Sequence, residues 1–336
     1  MKNLVILYCF LLLLSCGSNN NLGDTNNTND DLASKYANTI SSTDLKEHLY
    51  IIASEDFEGR ETGEPGQKKA AEYLKNFYIN NNIASPYGGN DYFQTIPTEH
   101  LRPGINPSEN VVAYIKGSEK PEEIVVLSAH YDHIGIDGVR IYNGADDDGS
   151  GTVAIMEIAQ AFKNAVLEGN GPKRSLLFLH ATGEEKGLLG SKYYTNFPIF
   201  PLDKTITNLN IDMIGRVDDA HKNNPNYVYL IGSDKLSTEL HKISEEANNR
   251  FTKLDLDYKY NNDNDPNRFY YRSDHYNFAK NNIPIIFYFN GTHDDYHQST
   301  DTPEKIDYEV LTKRTQLIFY TTWEIANREN RPLVDK

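Results

Sequence analysis

Short apolar runs alternate with segments of helical periodicity along most of the chain. The apolar runs predict strands at residues 110–115, 124–128, 175–180, 205–211, 227–231 and 284–289. The helices predicted around them cover residues 43–52, 65–78, 152–165, 187–194, 236–248, 273–281 and 308–327. Strands that alternate with helices favour a largely parallel sheet covered on both faces, so the predicted fold class is α/β.

The N-terminal segment has the pattern of a targeting sequence. Met1 and Lys2 precede an apolar run from Leu4 to Leu14 that is too short to span a bilayer. The run ends in Leu-Leu-Ser-Cys-Gly, which resembles a bacterial lipobox, where cleavage precedes the cysteine and its thiol is diacylated. We therefore expect a signal peptide of lipoprotein type at residues 1–15 and a lipidated Cys16. An ordinary signal peptide with an incidental cysteine is the alternative.

The residues after the cysteine predict a linker and then one folded domain. Residues 16–32 are mostly Asn, Asp, Ser and Thr, so we expect a flexible tether there and the domain at residues 33–336. Since Cys9 would be removed with the signal peptide, the mature protein would have no disulfide. We expect export and lipid anchoring to the cell envelope. The absence of an acidic residue directly after Cys16 favours the outer membrane.

The charge balance argues against one class of partner. The 336-residue chain has 48 Asp and Glu against 33 Lys and Arg, a formal net charge of −15. Because nucleic-acid binding depends on basic surfaces, we expect no nucleic-acid partner.

One stretch carries an unusual concentration of acidic residues. The apolar run at residues 124–127 leads into His130 and Asp132, and the sequence Gly-Ala-Asp-Asp-Asp-Gly-Ser-Gly follows at residues 144–151. Three adjacent carboxylates repel one another unless a cation or solvent neutralises them, which suggests a metal centre. Asp146 and Asp148 have a simpler explanation as caps of the following helix, and capping is our preferred interpretation for Asp148.

Further ligand-type side chains follow other predicted strands. Glu184 and Glu185 follow one strand, Asp212 ends the next, and His297 comes after the strand at residues 284–289. Sites in parallel sheets form at the carboxyl ends of strands. Imidazole and carboxylate ligands without thiolate suit catalytic zinc better than manganese or cobalt, and one Asp could bridge two ions, with a water between them as nucleophile.

Five segments resemble metallopeptidase family twenty-eight, the co-catalytic dizinc aminopeptidases. They are HYDH, GADDDGSG, GEEKGLLGS, NIDMIGR and DYHQSTDTPEKID, and they occur in the family's order across residues 55–327. The resemblance implies a three-layer α/β/α sandwich with a largely parallel central sheet. The domain at residues 33–336 is then the peptidase catalytic domain, with two Zn²⁺ per chain.

The resemblance also implies a role for each matching residue. His130 and Asp212 would bind one metal, Glu185 and His297 the other, and Asp147 would bridge them. Glu184 would be the general base, Asp132 would hold His130 in its tautomer, and Tyr296 would donate to the oxyanion. The Asp147–Asp148 peptide would be cis.

Other polar residues have simpler explanations. We expect His133, His275 and His293 at the surface or supporting the ligands, and His180 as a satisfied core histidine. Residues 272–274 have two possible roles, lining the pocket or capping a helix. The sequence assigns no role to Arg60.

The predicted function is a zinc-dependent aminopeptidase that removes N-terminal residues from peptides, because an acidic pocket suits a free amino terminus. Dipeptidyl or carboxypeptidase-like specificity stays open. The alternatives are a monozinc enzyme similar to glutaminyl cyclase and a non-catalytic surface binding lipoprotein. The presence of Glu184 argues against the last, since a metal-binding scaffold needs no base.

Overall fold

The computed structural model describes residues 22–336, with side chains from residue 29. The helices are α1 Leu22–Ala37, α2 Ser42–Ile52, α3 Pro65–Asn80, α4 Gly151–Leu167, α5 Leu189–Asn196, α6 Thr238–Ala247, α7 His275–Ala279 and α8 Tyr308–Asn327. The strands are β1 Phe93–Ile96, β2 Ser108–Ile115, β3 Lys120–His130, β4 Gly135–Asp137, β5 Arg140–Tyr142, β6 Arg174–Ala181, β7 Thr205–Ile211, β8 Tyr227–Ile231, β9 Asp255–Asp257 and β10 Ile285–Phe289.

Eight strands form one twisted sheet in the order β1-β2-β6-β3-β7-β10-β8-β9. The four central strands β6, β3, β7 and β10 are mutually parallel. Strands β2 and β8 pair antiparallel to the two sides of this block. The central strands are buried along most of their length, which explains why they read as continuous apolar runs. Their carboxyl ends meet at one edge of the sheet.

Helices cover both faces of the sheet, which confirms the three-layer α/β/α prediction. On one face, α4 and α8 pack together through Phe162, Phe319 and Trp323, within a large apolar cluster that also includes residues of α1, α2, α3 and α6. On the other face, a smaller cluster joins Tyr194 of α5 and Phe278 of α7 to the sheet. The layers follow from apolar side chains on both sides of each central strand.

The structure differs from the sequence prediction at both ends of the sheet and near the N-terminus. Strands β1 and β9 and the hairpin β4–β5 were not predicted, because these segments are short and only partly buried. Helix α1 begins inside the predicted tether. Its later turns are attached to the domain, since Ala33 is buried and Trp323 Nε1 donates to Asn29 Oδ1 over 3.0 Å. The predicted signal peptide and Cys16 lie outside the described residues.

Arg60, whose role the sequence left open, is a structural residue. Its guanidinium is fully buried and donates to four backbone carbonyls, those of Ile52, Tyr131, Asn143 and Gly144. These contacts fix the loop after β3 against the loop before α4. Over residues 22–336, no helix combines the length and the apolar character that a membrane crossing requires.

Candidate metal centre

The carboxyl ends of the parallel strands bring the predicted ligands together. His130 is the last residue of β3, and Asp212 directly follows β7. Glu184 and Glu185 lie in the turn after β6, and His297 lies in the loop after β10. Asp147 reaches the same edge from the turn that opens α4. Residues far apart in sequence therefore converge because their strands are neighbours in the sheet.

The first group of ligand-type atoms surrounds His130. Its Nε2 lies 3.2 Å from Asp147 Oδ1 and 3.7 Å from Asp212 Oδ1. Its Nδ1 lies 3.0 Å from the backbone oxygen of Asp132, and a hydrogen bond there requires the proton on Nδ1. That tautomer leaves the Nε2 lone pair directed at the carboxylates.

The second group surrounds the other oxygen of Asp147. His297 Nε2 lies 3.0 Å from Asp147 Oδ2 and 3.3 Å from Glu185 Oε2. Each oxygen of the Asp147 carboxylate therefore faces at least one imidazole, an arrangement that suits a residue bridging two ions.

The residues present fit two zinc ions. Two ligands at 2.0–2.1 Å from a tetrahedral zinc lie roughly 3.3 Å apart, close to the spacings in both groups. His130 Nε2 and Glu185 Oε1 are buried and have no hydrogen-bond partner. These two atoms face the other ligand-type side chains, so a bound cation would satisfy them. The imidazole and carboxylate donors without thiolate are those of catalytic zinc.

The contacts between imidazoles and carboxylates at the centre shift the pKa values of both. Burial opposes ionisation of Asp147, but His130 and His297 hold the pKa of its carboxyl well below the ordinary value. Burial likewise opposes protonation of His297, yet its contacts with Asp147 and Glu185 raise its pKa to about 10. Protons on the imidazoles thus provide the positive charge that a metal would supply, and metal binding would displace them.

The outer acids of the Asp triplet have structural roles. Asp148 Oδ1 accepts from the backbone N–H groups of Gly151 and Met213, and Oδ2 accepts from that of His130. Asp146 Oδ1 accepts from the N–H of Gly215. Both therefore tie the start of α4 to the segment after β7, as capping of α4 by Asp148 predicts, and only Asp147 is free to face both imidazoles. The Asp147–Asp148 peptide is cis.

Asp132 contacts His130 differently from the prediction. Its carboxylate is 3.8 Å from His130 Nδ1, and its backbone oxygen is the nearer partner at 3.0 Å. The carboxylate instead accepts from the Glu184 N–H over 3.1 Å and from the Thr62 hydroxyl over 2.7 Å. Asp132 therefore fixes the turn that carries Glu184, while its backbone orients the imidazole.

The centre opens into a pocket with mixed walls. Glu184, Tyr296 and Arg272 line it together with an apolar wall formed by Met213, Phe269, Phe287 and Phe289. Glu184 Oε2 lies 3.9 Å from His130 Nε2. Burial raises the pKa of the Glu184 carboxyl, and the charges of Glu185 and Asp212 add to this. Arg272 donates to the Tyr296 oxygen over 3.2 Å.

Two histidines outside the predicted ligand set, His180 and His133, have different surroundings. His180 is the satisfied core histidine that was predicted, since its Nε2 lies 2.6 Å from the Tyr78 hydroxyl and burial lowers its pKa to about 3. His133 is fully buried beside Glu185, so a surface position for it is wrong. The sequence offers no signal for this burial beyond its place three residues after His130.

Comparison with known protein families assigns the chain to one of them. The family model described as Peptidase family M28 matches residues 110–322, more than half of the chain. The chain therefore belongs to peptidase family M28.

Relatives and solved structures add the following likenesses. The chain is 35% identical over 113 residues to a probable zinc metalloprotease of Leptosphaeria maculans, covering 32% of this chain and 24% of that protein. It superposes on the LapA aminopeptidase of Legionella pneumophila with a TM-score of 0.68 at 22% identity, over 89% of this chain and 76% of that one. Glutaminyl cyclase of Porphyromonas gingivalis gives 0.63 at 18% identity, over 84% and 97%. The two structures show a shared fold. The chain spans about a quarter or less of the length of the first curated relatives that it matches.

Proposed function

We propose that this protein is a zinc-dependent exopeptidase, an aminopeptidase that hydrolyses N-terminal residues from peptides with two Zn²⁺ per chain. The observation that carries the proposal is the convergence of five side chains on two adjacent groups, with Asp147 shared between them and Glu184 beside them. His130, Asp147 and Asp212 would hold one ion, and Asp147, Glu185 and His297 the other. Bound zinc would polarise the scissile carbonyl and lower the pKa of water.

Glu184 is the residue suited to move protons. Its carboxylate lines the pocket next to both groups, and Asp132 fixes its backbone. Oε2 would accept a proton from the attacking water and deliver it to the leaving amine. A carboxylate in a buried site with other acids has a raised pKa, which favours both steps near neutral pH.

Tyr296 would stabilise the negative charge that develops on the substrate oxygen. Because Arg272 donates to the phenolic oxygen, the hydroxyl hydrogen of Tyr296 is free to point elsewhere. Both side chains line the pocket, so that hydrogen can be donated to the oxyanion. The acidic groups at the base of the pocket would attract the cationic amino terminus of the substrate, which favours exopeptidase over endopeptidase action.

The decisive experiment measures metal content and hydrolysis of a panel of aminoacyl-nitroanilides. We expect two zinc ions per chain, chelator-sensitive release, and an activity about 10³-fold lower in Glu184→Gln with its metal retained. Glu157→Gln, which changes a buried glutamate of α4 away from the centre, is the matched control and should keep full activity.

Other results would assign a different function. One metal per chain, no release and cyclisation of an N-terminal glutamine would identify a glutaminyl-cyclase-like enzyme. A chain that binds no metal would contradict the proposal and favour a non-catalytic binding lipoprotein.

We also propose that the protein is exported and held in the cell envelope, at the outer membrane, by a lipid on Cys16. The apolar run at residues 4–14 and the lipobox-like residues that follow it support this. Labelling with radioactive palmitate, followed by membrane fractionation, tests it. The label and the membrane association should both disappear in Cys16→Ser, and an unlabelled wild-type chain would contradict the proposal.

A further inference from the structure

His133 is a buried imidazole whose environment is unusual. The side chain is fully buried, and both ring nitrogens lack a hydrogen-bond partner. A neutral imidazole normally pairs at least one nitrogen when it is buried, as His180 does with Tyr78. The ring therefore has no well-aligned hydrogen bond among the described side chains.

The ring points at the second group of the metal centre. His133 Nδ1 lies 2.9 Å from Glu185 Oε1 and 3.8 Å from Asp147 Oδ2. The two nearest atoms, Nδ1 and Oε1, are both without a hydrogen bond despite their short separation. A separation of 2.9 Å without hydrogen-bond alignment is near the spacing of roughly 3.3 Å between two ligand atoms of one zinc ion.

His133 and His297 lie on the same side of the shared carboxylate. Both imidazoles approach Oδ2 of Asp147, whereas His130 approaches Oδ1. Their ring centroids are 5.9 Å apart. One ligand atom each from His133, Asp147 and Glu185 also falls within 4.8 Å of the others, the compactness that a shared ion requires.

The local backbone holds the ring in this position. The His133 N–H donates to the Arg60 carbonyl over 3.1 Å, and Arg60 is itself fixed by four backbone contacts. Gly144 packs against the ring so closely that a Cβ atom there would lie 2.5 Å from the ring carbons Cγ and Cδ2. The slot is therefore shaped for this imidazole.

We propose that His133 is an additional ligand of the second metal ion, which makes the two sites unequal. The second ion would be held by His133, Asp147, Glu185 and His297, and the first by His130, Asp147 and Asp212. This inference rests on the metal centre proposed above. An extra imidazole gives the second site more nitrogen donors, so it binds zinc more tightly and fills first.

The test counts the imidazoles that ligate a metal directly. The full chain, labelled with ¹⁵N in its histidines, is loaded with ¹¹³Cd²⁺, and scalar coupling between cadmium and ring nitrogens is measured by NMR. We expect three coupled histidines in the wild-type chain and two in His133→Gln. His48→Gln is the matched control, because His48 is also largely buried and lies 3.6 Å from the carboxylate of Glu157. It should keep all three couplings.

Metal affinity supplies a second measurement. Loss of a residue that only supports a ligand costs roughly 10–100-fold in affinity, and we expect a larger loss at one of the two sites in His133→Gln. Two cadmium ions per chain with only two coupled histidines in the wild-type protein would overturn the His133 inference and leave the metal centre standing. A wild-type chain without bound cadmium would overturn both. The count on the wild-type chain does not depend on the folding of any variant.

Discussion

Two regions of the molecule bury a carboxylate beside an imidazole, and they differ in whether that carboxylate is ionised. In the helical layer, Glu157 of α4 lies 3.6 Å from His48 of α2, and neither oxygen of Glu157 has a hydrogen-bond partner. At the sheet edge, Asp147 lies between His130 and His297. The first region has a single pair, while the second combines several groups from different strand ends.

The number of oppositely charged groups nearby decides whether a buried carboxylate stays ionised. Burial raises the pKa of Glu157 to about 8, with Asp44 adding to it, and burial lowers the pKa of His48. The helical pair is therefore neutral over a wide pH range. At the sheet edge the imidazoles overcome the cost of burial and keep Asp147 ionised. Burial of a titratable group alone does not define a site, and convergence of opposite charges does.

Removal of metal should have the largest effect on the free energy of unfolding. This effect should depend on the ligand side chains at the sheet edge and not on the pair in the helical layer. With free zinc at roughly 1,000 times its dissociation constant, each bound ion adds about 4 kcal/mol to the free energy of unfolding. We expect a chelator to remove this contribution from the wild-type chain and from Glu157→Gln, as measured by urea unfolding. Asp147→Asn should show no chelator effect, because both groups use this carboxylate. An equal chelator effect in Asp147→Asn would place the metal elsewhere.

Much of this contrast could be predicted from the sequence. The bounds of β7, β8 and α8 agree with the predicted residues 205–211, 227–231 and 308–327, because polar or glycine residues flank each of these segments. The rule that parallel strands present their carboxyl ends at one edge was enough to group His130, Asp212 and His297.

The remainder depended on packing that periodicity does not encode. Nothing in the order of residues shows which of His130 and His133, three positions apart, turns inward, and in the structure both do. The contact of His130 with the backbone of Asp132 rather than its carboxylate depends on the shape of one turn. The burial of Glu157 could not be predicted from the apolar face of its own helix, because it depends on packing against the neighbouring helices α2 and α3.

Asp148 extends the comparison to a carboxylate at the sheet edge that has a structural role instead of facing the imidazoles. Its carboxylate accepts three backbone N–H groups, so Asp148→Ala leaves three buried donors without partners. We expect the free energy of unfolding of the metal-free chain to fall by about 3 kcal/mol, at about 1 kcal/mol for each lost bond. Urea unfolding measures this. Asp219→Ala, at an exposed position, is the control and should change little. If Asp148→Ala kept wild-type stability, the structural role of the outer acids would be wrong.

Glu157 provides the clearest dependence of stability on pH. Its pKa in the folded protein is about 8, above the ordinary 4.5, so the folded state keeps a proton that the unfolded chain releases. This stabilisation is complete below about pH 4.5 and is lost as the pH rises through about 8. Glu157→Gln stays neutral throughout. It should match wild-type stability at about pH 4 and exceed it by roughly 5 kcal/mol at about pH 9, because the rise in the Glu157 pKa from 4.5 to about 8 corresponds to about 1.4 kcal/mol per pKa unit.

Urea unfolding across this pH range, on chelator-treated protein, tests the prediction. The groups that face Glu157 are His48 and Asp44 of α2 and Tyr73 of α3. Glu72→Gln, which changes an exposed carboxylate paired with Lys75, is the control and should run parallel to the wild-type curve. If Glu157→Gln also ran parallel, Glu157 would be ionised in the folded state. A single imidazole would then be enough to keep a buried carboxylate charged, and the contrast with the sheet edge would fail.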